Sequence, residues 1–288
     1  MRQITLAATQ FACSWDLAAN ADTAEALVRQ AAGQGAQVIL VQELCATPYF
    51  CIEQLPQFFA LSAPMIGHPL IARFAGLARE LGVVLPCSYF ERAGQAHFNA
   101  CAIIDADGRI LGNYRKTHIP QGPGYEEKYY FSPGDTGFRV WDTAFGRIGL
   151  GICWDQWFPE AARAMALQVA EVLLYPTAIG SEPPNPGYDS QPHWETVMRG
   201  HAGANIMPLV ASNRIGREVA PGGREVTFYG SSFIADQTGA LVAKAGRQDQ
   251  AVLTAAFDLD AIAELRAGWG LFRDRRPETY SAVNSIGG

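Results

Sequence analysis

The sequence predicts an α/β protein in which helices cover the outer faces of mixed β-sheets. Three observations lead there. Short β-rich apolar runs alternate with segments of helical periodicity along most of the 288 residues. Two pairs of runs are joined by turns short enough for hairpins, which adds antiparallel pairs to the parallel ones that alternation implies. Gly and Pro punctuate the boundaries, and nothing between the elements resembles a flexible linker.

Residues 4–9 read as the first strand and 21–32 as a helix stopped by Gly33 and Gly35. Residues 37–41 make the second strand. Pro69–Leu81 is a helix ended by Gly82, and 83–88 is the third strand. Residues 99–105 and 109–115 form a hairpin across Ala106-Asp107-Gly108. Another joins 138–142 to 147–152 through Thr143-Ala144-Phe145-Gly146. A helix at 159–168, a strand at 172–175, a helix at 193–205 and a strand at 209–213 follow. Residues 231–235 and 252–258 are late strands around the turn Asp236-Gln237-Thr238-Gly239. The expectation is a single domain over 1–288. Its last stretch, about 269–288, carries Arg273, Arg275 and Arg276 beside aromatics and is expected to pack on its own or a neighbouring subunit.

Hydrophobic residues make up 49% and charged residues 17%, the proportions of a folded chain with a sizeable core. The net charge of −6 and the absence of a basic run argue against a nucleic-acid partner. The apolar stretches stop short of the ~20 residues a membrane span needs. Met1-Arg2-Gln3-Ile4 leads straight into a strand, so no signal peptide is visible. Six scattered cysteines in a chain this long read as reduced and cytoplasmic. No CxxC pair occurs and the histidines have no metal spacing, so no metal site is expected.

The most informative stretch is Arg147-Ile148-Gly149-Leu150-Gly151-Ile152-Cys153-Trp154-Asp155-Gln156-Trp157-Phe158-Pro159-Glu160. An apolar strand runs into Cys153 and a helix opens at Pro159. A thiol between a strand end and a helix start is expected to be partly exposed, beside unpaired N–H groups that favour the thiolate. A cysteine hydrolase also needs a base and a means of stabilising an oxyanion. Histidine is the usual base, and His97, His118, His193 and His201 are candidates, but Cys153 lacks the local setting of papain-like enzymes. Glu43 and Lys116 stand at strand ends, where open sheets place their sites. Glu43 follows Val38-Ile39-Leu40-Val41-Gln42, and Lys116 follows Ile110–Arg115. If the three ends converge, a partly buried Glu43 can take the thiol proton and later activate water. Lys116 can then stabilise the thiolate and a developing oxyanion.

In order and local setting, Glu43, Lys116 and Cys153 resemble the Glu-Lys-Cys triad of the nitrilase or carbon–nitrogen hydrolase superfamily. The similarity covers nearly the whole chain, from Ile4-Thr5-Leu6-Ala7-Ala8-Thr9-Gln10 to the C-terminal aromatics. It implies a four-layer αββα sandwich with two mixed β-sheets flanked by helices, a thioester-type intermediate, no metal or organic cofactor, and a homo-oligomer. It also implies a second glutamate that orients the lysine, placed at Glu127 with Glu126 as the alternative. Within the superfamily, Tyr49-Phe50-Cys51, Lys116-Thr117-His118-Ile119-Pro120, Gly122-Pro123-Gly124-Tyr125-Glu126-Glu127-Lys128, the run through Cys153 and Tyr175-Pro176-Thr177-Ala178-Ile179-Gly180-Ser181-Glu182-Pro183 are most like enzymes that hydrolyse N-carbamoylputrescine. Gln121 departs from that pattern, where an acidic residue is expected. The alternative is another amidase or ureidase of the superfamily.

Residues 177–194 hold Glu182 and Asp189 but no Lys or Arg. Bordering the pocket, they would make an acidic mouth suited to a small cationic substrate. A ureido acid would instead want an arginine fork. Glu182 is the candidate partner of a distal ammonium. Tyr49, Tyr130 and Trp154 are candidates to line an apolar path, and His118 completes the substrate-binding set.

Overall fold

The structure is a computed structural model that describes residues 1–287; Gly288, the last residue of the expected extension, lies outside them. The first half contains β1 (Gln3–Gln10), α1 (Leu17–Gly33), β2 (Val38–Leu40), α2 (Pro69–Leu81), β3 (Leu85–Ala93), β4 (Ala96–Ile104) and β5 (Ile110–Arg115). Helix α1 begins earlier than its apolar periodicity suggests, because Asp16 caps it and accepts the Ala19 N–H at 3.0 Å. Helix α2 has the expected bounds. Gly82 ends it at φ +66°, a left-handed conformation that a β-carbon disfavours.

The second half contains α3 (Glu127–Tyr130), β6 (Val140–Thr143), β7 (Gly146–Leu150), α4 (Pro159–Leu167), β8 (Val172–Pro176), α5 (Gln191–Asn205) and β9 (Leu209–Ser212). It closes with β10 (Ile215–Val219), β11 (Glu225–Tyr229), β12 (Phe233–Ala235), β13 (Leu241–Lys244), β14 (Ala251–Asp258) and α6 (Leu259–Trp269). One expectation is corrected here. The turn at 236–239 joins β12 to β13, whereas β14 crosses to the other sheet and pairs antiparallel with β1 along its whole length. Strand β13 alternates half-buried and exposed residues, so it carries no strong apolar signal. Helix α6 follows β14 without a loop. Asp258 starts it by accepting the N–H groups of Asp260 and Ala261 at 3.0 and 3.1 Å.

Two sheets result. In one, β14-β1-β2 and the meander β3-β4-β5 are joined beside β2, where Val38 bridges Val84 and the Ile39 N–H donates to the Val84 carbonyl at 3.0 Å. The other has the order β13-β12-β9-β8-β7-β6, parallel at β9-β8-β7 and antiparallel elsewhere. The side chains explain the stacking. Leu6, Leu40 and Ile103 of the first sheet pack with Ile148, Leu174 and Val210 of the second in one buried layer. On the far face of the first sheet, Ala7, Ile39 and Leu85 meet Leu27 of α1 and Phe74 of α2. On the far face of the second, Leu173, Leu209 and Phe233 meet Met165 of α4 and Trp194 of α5. Alternate residues of each strand thus serve opposite layers, giving the αββα order. No helix among the described residues is long and apolar enough to cross a membrane.

Candidate active site

Lys116 comes directly after β5. Its N–H donates to the Asn99 carbonyl at 2.8 Å, and its own carbonyl accepts the Gly134 N–H at 2.8 Å. A β-carbon at position 134 would lie 2.1 Å from the Arg115 carbonyl oxygen, so only glycine lets this loop close over the strand. The ammonium donates to Glu43 Oε1 at 2.9 Å and to Glu127 Oε2 at 2.7 Å, and none of the three side chains is exposed. Burial pulls the lysine's pKa down, but Glu127 and Glu43 together hold it well above the usual range. Burial pushes the Glu127 carboxyl up to about 6, with Lys116 opposing.

Glu43 lies in the turn after β2, where the next residue, Leu44, is left-handed at φ +49°. The Leu44 N–H donates to Ser88 Oγ at 2.9 Å. Asn99 Nδ2 donates to Glu43 Oε1 at 2.6 Å, while Oε2 is buried with no hydrogen-bond partner. A free acceptor on a buried carboxylate is what a general base offers an incoming proton. Glu127 opens α3, and its other oxygen accepts the Tyr49 hydroxyl at 2.6 Å. Glu126 turns away to Gln54, Gln121 and Arg224. Between the two glutamates, contact with Lys116 falls to Glu127.

Cys153 follows β7 at φ +45° and starts a short 3₁₀ turn, Cys153–Trp157, ahead of α4. Asp155 secures that turn. Its Oδ2 accepts the Ile152 N–H at 2.9 Å and the Tyr114 hydroxyl at 2.7 Å, and its Oδ1 accepts the His118 N–H at 2.9 Å. One buried carboxylate therefore ties the cysteine's turn to β5 and to the loop after Lys116. The expected partly exposed thiolate is corrected: Cys153 is only 5% exposed and its thiol donates to the Ala178 carbonyl at 3.7 Å. Burial first, then the Glu43 carboxylate, pushes its pKa well above the usual thiol range, against the opposing pull of Lys116. The resting group is a neutral thiol within the field of all three charges.

A cavity of about 440 Å³ opens over Cys153 and Glu127, walled by Tyr125, Trp154, Trp157 and Glu182 among others. No Lys or Arg of the described residues lines it. Glu43 and Lys116 sit just behind its lining. Three expected wall residues do not reach it. Tyr49 is buried against Tyr125 and Phe228 and serves Glu127. The Tyr130 hydroxyl accepts the Leu55 N–H at 2.8 Å. His118 stacks on Phe158 at 3.6 Å, with Nδ1 2.8 Å from Asp155. No histidine of the described residues hydrogen-bonds Cys153: His97 packs on Phe59, His201 lies beside Tyr175, and His193 lines the cavity mouth near Tyr188. The expected acidic segment is half neutralised, because Asp189 pairs with Arg247 at 2.6 Å. Glu182 is the acid of that segment that remains on the cavity wall.

Asn99, Tyr49 as a hydroxyl donor and Asp155 are functional neighbours that sequence reasoning missed. Asn99 and Asp155 carried a signal, each a polar residue inside or just beyond a buried apolar strand.

The comparisons bear on this geometry. Residues 5–267 match the family described as carbon-nitrogen hydrolase. The chain is 60% identical to the N-carbamoylputrescine amidase of Solanum tuberosum, covering 100% of this chain and 97% of the relative. It is 51% identical to a citrullinase of Francisella tularensis, covering 98% and 99%. A carbon-nitrogen hydrolase from Helicobacter pylori superposes with a TM-score of 0.92 at 39% identity, covering 99% of this chain and 100% of that one. A Nesterenkonia amidase variant carries an acetamide group covalently added at its active-site cysteine; its TM-score is 0.74 at 25% identity, covering 92% and 96%.

The protonated state of the Cys153 thiol has a direct readout. Because its pKa is raised, the thiolate fraction is small at neutral pH and grows only in strong alkali. Peptide-resolved alkylation by iodoacetamide is therefore expected to climb with pH beyond 9, without an inflection between pH 5 and 8. A plateau reached near pH 6 would mean an ion-paired thiolate instead.

Proposed function

The chain belongs to the carbon–nitrogen hydrolase family as a cysteine-dependent amidohydrolase, and we propose that it hydrolyses N-carbamoylputrescine to putrescine, ammonia and carbon dioxide. The observation that carries the substrate reading is the cavity. Cys153 lies at its base, Glu182 on its wall, and no basic side chain of the described residues lines it. The distal amine of N-carbamoylputrescine is a cation at neutral pH, so it can pair with Glu182 while Trp154 covers the butyl chain.

In this reading Glu43 takes the Cys153 proton and the thiolate attacks the ureido carbonyl. Lys116 and the Trp154 N–H hold the oxyanion. Glu43 returns the thiol proton to the departing nitrogen, so collapse expels one neutral amine and leaves a carbamoyl thioester on Cys153. Glu43 then draws a proton from water, which attacks and frees the sulfur. The carbamate so formed breaks into carbon dioxide and the second amine. Glu127 keeps Lys116 charged and oriented, supported by their 2.7 Å contact. The unpartnered Oε2 of Glu43 supports its role as the base.

Citrulline is the second reading, because of the Francisella relative. It offers the same ureido group but adds a carboxylate, and a cavity without Lys or Arg gives that charge no partner.

We also read the chain as a homo-oligomer working in a reducing compartment such as the cytoplasm. All six cysteines are free. Leu167 on α4 and Leu271 and Val283 in the C-terminal stretch expose apolar surface along a groove between α4 and α5. Light scattering is expected to give a mass at least twice that of one chain; a monomer at micromolar concentration would reject this assembly.

Cys153→Ser and Lys116→Ala are each expected to lower kcat at least about a thousandfold. Lys116→Ala should also lower the unfolding midpoint, since it strands two buried carboxylates at a cost of about 3–5 kcal/mol. Near wild-type turnover in either variant would remove that residue from the chemistry.

Glu182→Gln is expected to raise KM for N-carbamoylputrescine about 10- to 50-fold with kcat within about threefold. The uncharged analogue N-pentylurea should be unaffected. Equal effects on both compounds would take Glu182 out of ammonium recognition.

A further inference from the structure

Arg214 lies just beyond β9 and is fully buried. Its Nη2 donates to the Glu43 carbonyl at 2.7 Å and to the Leu44 carbonyl at 3.2 Å. Its Nη1 donates to the Thr47 carbonyl at 3.2 Å and to Glu218 Oε1 at 2.8 Å. The other oxygen of Glu218, on β10, accepts the backbone N–H of Tyr49. Tyr49 in turn holds Glu127 through its hydroxyl.

These contacts close a ring. From Glu43, one path runs through its carboxylate to Lys116 and on to Glu127. The other runs through its backbone to Arg214, Glu218 and Tyr49, and returns to the same Glu127. Neither Arg214 nor Glu218 lines the cavity, so neither touches substrate. The guanidinium also sits over the rings of Tyr49 and Phe228, with its carbon 5.9 and 5.3 Å from their centroids.

A buried ion pair is a poor device for stability alone, because the attraction roughly cancels the loss of hydration. A planar fork that fixes three carbonyls of one turn, those of Glu43, Leu44 and Thr47, is a good device for geometry. The turn needs it, because Leu44 is held at a positive φ that a leucine disfavours.

We propose that Arg214 and Glu218 are positioning residues, which together set the angle at which Glu43 and Glu127 meet Lys116. The inference rests on the catalytic roles assigned above to those three groups. It extends them to residues outside the triad.

The test uses Glu218→Gln, close in size and able to keep one acceptor, alone and combined with Tyr49→Phe in the full chain. Glu218→Gln is expected to lower kcat about 10- to 100-fold with KM changed less than threefold, since misplacement harms the reacting geometry rather than binding. Tyr49→Phe removes only the hydroxyl that reaches Glu127. It leaves the backbone N–H that Glu218 holds. Acting through one ring, the two changes should be non-additive, the double variant losing less than the product of the single losses. Full multiplicativity, or a Glu218→Gln enzyme within twofold of wild-type kcat, would overturn the proposal.

Arg214→Lys gives the second line. It keeps the charge but not the fork, and kcat should again fall at least tenfold. If Glu218→Gln does not fold, Arg214→Lys carries the same cycle with Tyr49→Phe. Failure of both to fold would overturn positioning in favour of a stability role. Glu43→Gln separates the two levels. Loss of turnover there upholds the catalytic reading whatever the ring variants do, and a preference for another ureido compound leaves the kcat split to be read on that compound.

Discussion

One ammonium shared between two carboxylates, all three side chains fully buried, is the constraint the rest of the site obeys. Charges in a low-dielectric interior must be paired and hydrogen-bonded or they are neutralised, carboxylates by gaining a proton and ammonium groups by losing one. Lys116 meets that demand by holding Glu43 and Glu127 together. The remaining lone pairs are then taken up by Asn99 and the Tyr49 hydroxyl, leaving one oxygen of Glu43 open. An incomplete set of partners would leave a buried charge unsatisfied, so each neighbour is tied to the identity of the next. The neutral thiol beside this cluster follows from the same balance, since the carboxylates and burial together outweigh one lysine.

The αββα stack is what makes the arrangement possible. Glu43 comes from the end of β2 and Lys116 from the end of β5, both in the first sheet, whereas Cys153 comes from the end of β7 in the second. The cluster therefore straddles the two sheets, and their packing through Leu6, Leu40, Ile148 and Leu174 sets how far apart the reacting groups stand. Asp155 adds a local tie across the same junction, linking Tyr114 and His118 to the turn that carries the nucleophile. Each group sits just beyond the end of a strand, and among the described residues the acid on a loop of the cavity wall is Glu182.

Much of this was legible in the sequence because strand ends are easy to see. A carboxylate after Val38-Ile39-Leu40-Val41-Gln42 and a lysine after Ile110–Arg115 break long apolar runs, and the glycines around Cys153 mark its turn. The layer order came from family resemblance and not from periodicity. What stayed hidden shares one physical cause. Tyr49, Tyr130 and His118 are amphipathic, and whether such a ring faces a cavity or a core depends on contacts made by distant segments. The crossing of β14 to pair with β1 is equally non-local, because its alternation fits either sheet. The thiol's protonation state needed the depth of burial, which local sequence does not report.

Gly134 illustrates how far the demands of proton chemistry reach. It touches no reacting atom, yet its N–H grips the Lys116 carbonyl and its bare α-carbon rests against the Arg115 backbone. Any side chain there must lever the end of β5 outward, and with it the one cation that both buried carboxylates share. A steric demand at the main chain is thus passed on to the electrostatics of the site. A screen for inactive variants would land on it as readily as on the nucleophile.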